Sequence, residues 1–459
     1  MSTTQVSNIV RHLPGGLLQE HSQSHSRLSD KTSNLGTSRR AGQELFGAHD
    51  VLLSSLQLPP HSHSSNMDLS LFYQNNLLYT QESLSKYKPG GYHPVTLGDT
   101  FKNGRYEVHH KLGYGGFSTV WLARDKDQSQ WVSLKIMTAN WSQSRELQNL
   151  RLLEKHSGGN LSSQYIVQLL DDFTHDGPNG VHQCLVFELL GPTVDMVLTD
   201  YSEGKDKLEP EETLRMSTQL LKAIMFIHSA GMCHGDISGR NVAFTCNKVL
   251  NSPGQELLDV LGSPEIEPLT RIDGTPLDNG LPTQLVRAAE WVDWIDEDEE
   301  DIRLLDFGES FLEGEQPEKL AQPSNLRVPE TIFTDRFDYR LDLWRAGCMI
   351  YAFLFTIYPF SHFGEYESLI FQMIGFVEKL PVEWESRWKE MQTRPSRDLE
   401  VKEGYEISKF EREFAENVHD PELQPLLEVA QELMRFLPSN RITADKALDL
   451  LFNKVGRTT

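Results

Sequence analysis

Four side chains far apart in the sequence have the chemistry to handle a metal-bound phosphate: Lys135, Asp236, Asn241 and Asp306. Lys135 closes the run Val132-Ser133-Leu134-Lys135, where strand alternation puts it on the same face as Ser133. An unpaired buried ammonium is costly, so a carboxylate is expected beside it. Glu146, early in the next predicted helix, is the candidate. Asp236 and Asn241 lie in His234-Gly235-Asp236-Ile237-Ser238-Gly239-Arg240-Asn241, just after an amphipathic stretch. Asp236 can accept a hydroxyl proton there, and Asn241 can hold a metal. Asp306 follows the predicted strand 302–305 and precedes Phe307 and Gly308. A carboxylate in that place suits Mg²⁺, which prefers hard oxygens and commonly shares them with nucleotide phosphates. Upstream, the turn Gly113-Tyr114-Gly115-Gly116-Phe117-Ser118-Thr119-Val120 exposes backbone N–H groups and is fit to cover phosphates. Taken alone, its glycines fit a plain tight turn equally well. A strand rather than a helix follows, which argues against a dinucleotide-binding loop.

The elements that must position these groups fall into two sets. Segments 106–112, 119–123, 131–136, 165–173 and 182–189 are predicted strands, and 142–154 a helix. After Pro210 the pattern turns helical, with Met216, Leu220, Leu221, Ile224 and Ile227 at helical spacing. Further helices are predicted after Asp342 and over 421–437. The expected fold class is α+β: a small antiparallel sheet lobe with one main helix (106–190), then a larger helical lobe (191–455). A cleft between two such lobes is a natural ligand site. Residues 66–105 lead into the sheet lobe. Residues 247–301 interrupt the helical lobe with Pro, Gly and Asp turns, and end in the acidic run Asp296-Glu297-Asp298-Glu299-Glu300-Asp301, flanked by Trp291 and Trp294. Residues 1–65 are rich in Ser and His without apolar periodicity, which predicts a disordered tail.

Composition narrows the partners. The chain has 459 residues and a formal charge of −23, so direct nucleic-acid binding is not expected, whereas basic peptides would be attracted. Four cysteines without a C-x-x-C pair argue against a disulfide framework or a cysteine zinc site. The longest apolar run, 348–360, is shorter than the ~20 residues that span a bilayer, so no membrane partner is expected. The first residues lack a compact apolar core of a secretory signal.

In order and spacing, these motifs match the signature set of protein kinases. From about Tyr106 to Leu451 the chain resembles eukaryotic-type protein kinases, with the two-lobed fold that implies. More narrowly it is similar to the SR-protein kinases, in a divergent, fungal-type branch. The narrower likeness rests on Lys86-Tyr87-Lys88-Pro89-Gly90-Gly91-Tyr92-His93-Pro94-Val95, on Phe117-Ser118-Thr119-Val120-Trp121-Leu122-Ala123 and on Val167-Gln168-Leu169-Leu170-Asp171-Asp172-Phe173. The long insert also stands where that family carries a spacer. The resemblance implies ATP and Mg²⁺ as cofactors. Leu112, Gly113, Gly115, Gly116, Val120 and Ser133 would surround the nucleotide. Lys135 would hold its α- and β-phosphates and pair with Glu146. Phe187 would back the adenine pocket, with Glu188 to Leu190 as the hinge. Asp236 would be the catalytic base, and Asn241 and Asp306 the metal ligands. Glu330 would pair with Arg441, and Asp342 would anchor the catalytic loop. The substrates implied are Ser residues in basic Arg/Ser-rich proteins, handled by a monomer present in cytoplasm and nucleus.

The chain departs from the family pattern at the catalytic loop. Gly235 stands where His-Arg-Asp has its Arg, a residue that commonly reads activation-segment phosphorylation. Ser238 stands where serine/threonine kinases carry a lysine. Arg240, two residues on, is the candidate to supply that positive charge, since an Arg is a permanent cation with a directional fork. The plain alternative is that Arg240 pairs with an acid. These departures motivate a second expectation, an ATP-binding pseudokinase scaffold. His-Gly-Asp with Asn241 also resembles small-molecule phosphotransferases of the aminoglycoside and choline type.

Overall fold

The structure, a computed structural model, describes residues 67–141, 145–251, 254–291, 294, 299–320, 322–334, 336–361, 366–392 and 408–455. The tail expected over 1–65 lies outside the described residues.

Six strands make one antiparallel sheet: β1 (Thr100–Phe101), β2 (Tyr106–Tyr114), β3 (Ser118–Asp125), β4 (Gln130–Met137), β5 (Leu169–Gly177) and β6 (Gly180–Glu188), in the spatial order β1-β2-β3-β4-β6-β5. Alternation sorts their side chains. Tyr106, Val108, Trp121, Ala123, Val132, Leu134, Ile136, Cys184 and Val186 form a core on one face. Ser133 and Lys135 therefore point to the other face, toward the second lobe. The β2–β3 hairpin carries the glycine turn, with Gly113 opposite Val120 and Val120 opposite Lys135 on β4.

The main helix, α1 (Arg145–Ser157), buries Glu146, Asn149, Leu150 and Leu153, positions that share one face. It runs three residues beyond the predicted end and stops at Gly158 and Gly159, both left-handed (φ +39° and +91°). The strand predicted over 165–173 is shifted. Asn160 caps a short 3₁₀ turn, Leu161–Tyr165, and β5 starts only at Leu169. The apolar pair Ile166-Val167 is used instead to meet the second lobe, where the Val167 amide donates to the Leu304 carbonyl at 3.0 Å.

In the helical lobe, α2 (Val194–Gly204) and α3 (Pro210–Ser229) precede a set of two-stranded ribbons. β7 (Met232–Cys233) pairs with β12 (Phe311–Leu312), β8 (Val242–Phe244) with β11 (Ile302–Leu304), and β9 (Ile266–Pro268) with β10 (Gln284–Val286). Helix α4 (Leu341–Phe355) is buried along nearly its whole length and forms the centre of the lobe. The helix predicted over 421–437 is shorter: a 3₁₀ turn, Pro421–Leu423, leads into α5 (Gln424–Leu433). Pro438 has no N–H to donate and disfavours helical backbone at Leu437, and the carbonyls of Arg435 and Phe436 accept from the Arg441 guanidinium. Helix α6 (Ala444–Val455) closes the lobe. No helix among the described residues is long and apolar enough to cross a membrane, and all four cysteines are buried and unpaired.

The segments before the sheet and within the insert pack together. Phe72, Leu77, Leu78, Leu84, Tyr87 and Tyr92 share a core with Leu269, Leu281 and Leu285. The insert is thus not a plain loop. Lys111 of β2 is buried at this junction, paired with Glu82 and donating to the Val286 carbonyl at 3.2 Å. Trp291 and Trp294 are buried in the main core. Two acids of the run have structural work. Buried Glu300 accepts from Thr245, from Asn247 at 3.1 Å and from the Lys248 amide at 2.8 Å, while Asp301 accepts from Gln219. Asp296, Glu297 and Asp298 lie outside the described residues.

Candidate active site

One strand, one helix and two loops bring the expected residues to one place: Lys135 on β4, Glu146 on α1, Asp236 and Asn241 between β7 and β8, and Asp306 just after β11. The Lys135 ammonium donates to Glu146 at 2.8 Å and to Asp306 at 3.2 Å, so a β4 amine is bridged between a carboxylate of the sheet lobe and one of the helical lobe. Burial pulls the Lys135 ammonium down, but the Asp306 and Glu146 carboxylates outweigh it and hold it above the ordinary lysine range. Lys135 in turn lowers the Asp306 carboxyl, against the opposing effect of its burial. Asp306 sits at the end of β11 with φ +55°, a left-handed backbone for a non-glycine residue. Its side chain accepts from the Gly308 amide at 3.3 Å, which steadies that turn. The next turn is tied to α1, since Asn149 donates to the carbonyls of Phe307 (2.9 Å) and Ser310 (3.0 Å).

The loop between β7 and β8 is fixed from below. Asp342, fully buried at the start of α4, accepts from the amides of His234 (2.7 Å) and Gly235 (3.0 Å) and contacts His228 at 3.1 Å. Asn241 donates to both the carbonyl (2.7 Å) and the carboxylate (2.9 Å) of Asp236. That leaves the Asn241 side-chain oxygen as the atom to offer a cation. Burial pushes the Asp236 carboxyl up to about 6, while Arg345 and Asn241 oppose the shift. Glu330 and Arg441 form a buried two-pronged pair at 2.8 and 2.6 Å.

The nucleotide-side residues are placed as follows. A Cβ added at Gly113, Gly115 or Gly116 would meet nothing within 4 Å, so the space against the turn is open for a ligand. Ser133 lies between Leu122 and Phe187 across the sheet. Leu112 packs on the main core, and Leu190 is buried in it. The Glu188 side chain turns away from the chain's own hinge to accept from the Gln168 amide at 2.8 Å, so any nucleotide contact there falls to backbone. These donors and oxygens fit Mg·ATP: bare amides and an ammonium for phosphates, and one carboxylate with one amide oxygen for a hard cation. Arg240 bonds Asp195 at 3.3 Å and its side chain is 64% exposed. This is the acid pairing that the sequence offered as the plain alternative.

Three contacts were not read from the sequence. Tyr92 donates to the Gly115 carbonyl and Lys86 to the Gly116 carbonyl at 3.2 Å, so the segment before the sheet holds the glycine turn. Arg345 reaches the catalytic loop from α4. Tyr92 stood in a motif used only for resemblance, and Lys86 and Arg345 are ordinary surface types; no spacing rule marks such long-range partners. If the turn covers ATP, Tyr92→Phe raises KM for ATP about two- to tenfold, the worth of one hydrogen bond, with kcat within twofold. Steady-state kinetics with varied ATP check this.

Residues 106–251 match the protein kinase domain family. That stretch, about a third of the chain, is similar to protein kinase domains. Among curated proteins it is 38% identical over 167 residues to protein kinase dsk1 of Schizosaccharomyces pombe, covering 35% of this chain and 30% of that one. It is 36% identical over 170 residues to serine/threonine-protein kinase SKY1 of Saccharomyces cerevisiae, covering 35% and 23%. A serine/threonine protein kinase of Aspergillus fumigatus matches over 391 residues at 28% identity, covering 80% of this chain and 89% of that one. The aligned region thus spans about a third or less of the first two relatives. A solved kinase domain superposes with a TM-score of 0.53 at 18% identity, over 78% of this chain and 98% of that chain, which agrees with the two-lobed fold. The likeness to divergent SR-protein kinases read from the sequence stands with these relatives.

Proposed function

We propose that this chain is an ATP- and Mg²⁺-dependent serine/threonine protein kinase acting on Ser in basic, Arg/Ser-rich proteins. The observation that carries the reading is the Lys135 bridge between Glu146 and Asp306, which assembles phosphate-binding and metal-binding groups from both lobes at one point. Mg·ATP bound there would supply the phosphoryl group and neutralise its developing charge. The chain's own residues do the rest. Lys135 would orient the phosphates, the glycine turn would cover them, and Asn241 and Asp306 would hold the cation. Asp236 takes the proton from the substrate hydroxyl. Positioning and electrostatics make up most of such catalysis. Arg240 enters as the source of positive charge in place of a lysine at 238; it must leave Asp195 to serve. The net charge of −23 favours encounter with basic peptides.

The test is a substrate panel with radiolabelled ATP, with ATP binding titrated in parallel. The proposal expects transfer to an Arg/Ser-repeat peptide and none to choline or an aminoglycoside. Binding without transfer would leave the scaffold reading, and transfer to the small molecules alone would leave the third.

A pH dependence follows from the Asp236 carboxyl. The base must be ionised, and its proton comes off at about 6. The sign is therefore loss of kcat/KM as pH falls through 6, approaching tenfold per unit below it. A profile from pH 5 to 8 that stays flat contradicts the assignment.

A further inference from the structure

Arg345 lies in the interior of α4 with its side chain fully buried. A buried charge is expensive unless strong acceptors meet it. Its acceptors are specific. One terminal nitrogen donates to the Gly235 carbonyl and lies 3.4 Å from the Asp236 carboxylate. The inner nitrogen, Nε, donates at 3.3 Å to the carbonyl of Leu326, in the segment between Asp306 and Glu330. One guanidinium thus joins the loop that carries Asp236 to the segment that leads to Glu330. Among the described residues, the acid paired with its fork, at 3.4 Å, is the residue assigned as base.

Position 235 cannot supply this cation itself. Gly235 has φ +81°, and a Cβ there would lie 2.7 Å from the Glu309 carbonyl oxygen. Any larger residue would force the Glu309 backbone aside. Ser310, a hydroxyl of the same segment, is buried and donates to the His234 carbonyl at 2.9 Å, so it is not presented for modification in this arrangement.

We propose that Arg345 is a positioning residue: it sets the orientation of Asp236 and clamps the Leu326 segment onto the catalytic loop. The proposal rests on the reading of Asp236 as base.

Two measurements on the full chain test it. Arg345→Met lowers kcat for an Arg/Ser-repeat peptide by about a hundredfold, the usual cost of a reacting group displaced by about an ångström, with KM for ATP within twofold. Amide exchange in the peptide 322–330 speeds up by about tenfold, as one lost hydrogen bond implies. If Arg345→Met does not fold, Arg345→Lys, which keeps the charge and loses the fork, decides instead through a smaller fall in kcat at unchanged KM. Parent-level kcat in the variant that folds, or unchanged exchange over 322–330, overturns the proposal. A parent that transfers no phosphate overturns the kinase reading and with it the positioning role, while the exchange result separately decides whether Arg345 ties the two segments.

Discussion

Asp236→Ala is expected to slow phosphate transfer to an Arg/Ser-repeat peptide by about 10²–10⁴-fold, the usual range for loss of a general base. ATP affinity should stay within about twofold, because the groups assigned to phosphate and metal, Lys135, Asn241 and Asp306, remain. The geometry explains the separation. Asp236 is oriented by Asn241 at 2.9 Å and by Arg345 at 3.4 Å, whereas Lys135 is oriented by Glu146 and Asp306. Single-turnover transfer alongside calorimetric ATP titration measures both quantities. Transfer at the parent rate would remove Asp236 from the mechanism.

The second large effect is on stability. Arg441→Met is expected to cost about 3–5 kcal/mol, because it leaves the Glu330 carboxylate buried without its partner. The guanidinium also bonds the carbonyls of Arg340 (2.9 Å), Arg435 (2.8 Å) and Phe436 (3.1 Å), so four groups lose a donor together. The pair itself is not a large net source of stability, since desolvating two charges offsets much of their attraction. The double variant Glu330→Gln, Arg441→Met should recover part of the loss, because no lone buried charge remains. Thermal unfolding of the three variants checks it, and a double variant worse than the sum of the singles contradicts the explanation.

The parts legible in the sequence are those set by local periodicity and by rare residue types at fixed offsets. Strand alternation put Lys135 on the cleft face, and the cost of an unpaired buried ammonium pointed to Glu146, the carboxylate early in the next helix, as its partner. Asp306 was marked by the apolar strand before it and the Phe-Gly after it. The elements that were displaced show the limit. Ile166 and Val167 look like strand residues, but their partner is Leu304 in the other lobe, which no local pattern encodes. Helix α5 stops at Leu433, and the carbonyls of residues 435 and 436 go to Arg441, a partner no local pattern names. The shared core of Phe72, Leu84 and Tyr92 with Leu269, Leu281 and Leu285 joins segments nearly 200 residues apart and has no signature in either. Arg345 is the extreme case: an Arg inside an apolar helix pattern reads as an exposed residue until the carbonyls of Gly235 and Leu326 are seen to meet it.

The central claim is that Lys135, Asn241 and Asp306 converge on one metal-bound triphosphate between the lobes. Crystals grown with Mn²⁺ and a non-hydrolysable ATP analogue test it directly, since Mn²⁺ stands in for Mg²⁺ and is located by anomalous scattering. The account predicts a manganese peak within coordination distance of the Asn241 side-chain oxygen and an Asp306 carboxylate oxygen, with Lys135 on the nucleotide's phosphates. Manganese bound elsewhere, or a nucleotide that does not touch Lys135, would contradict it.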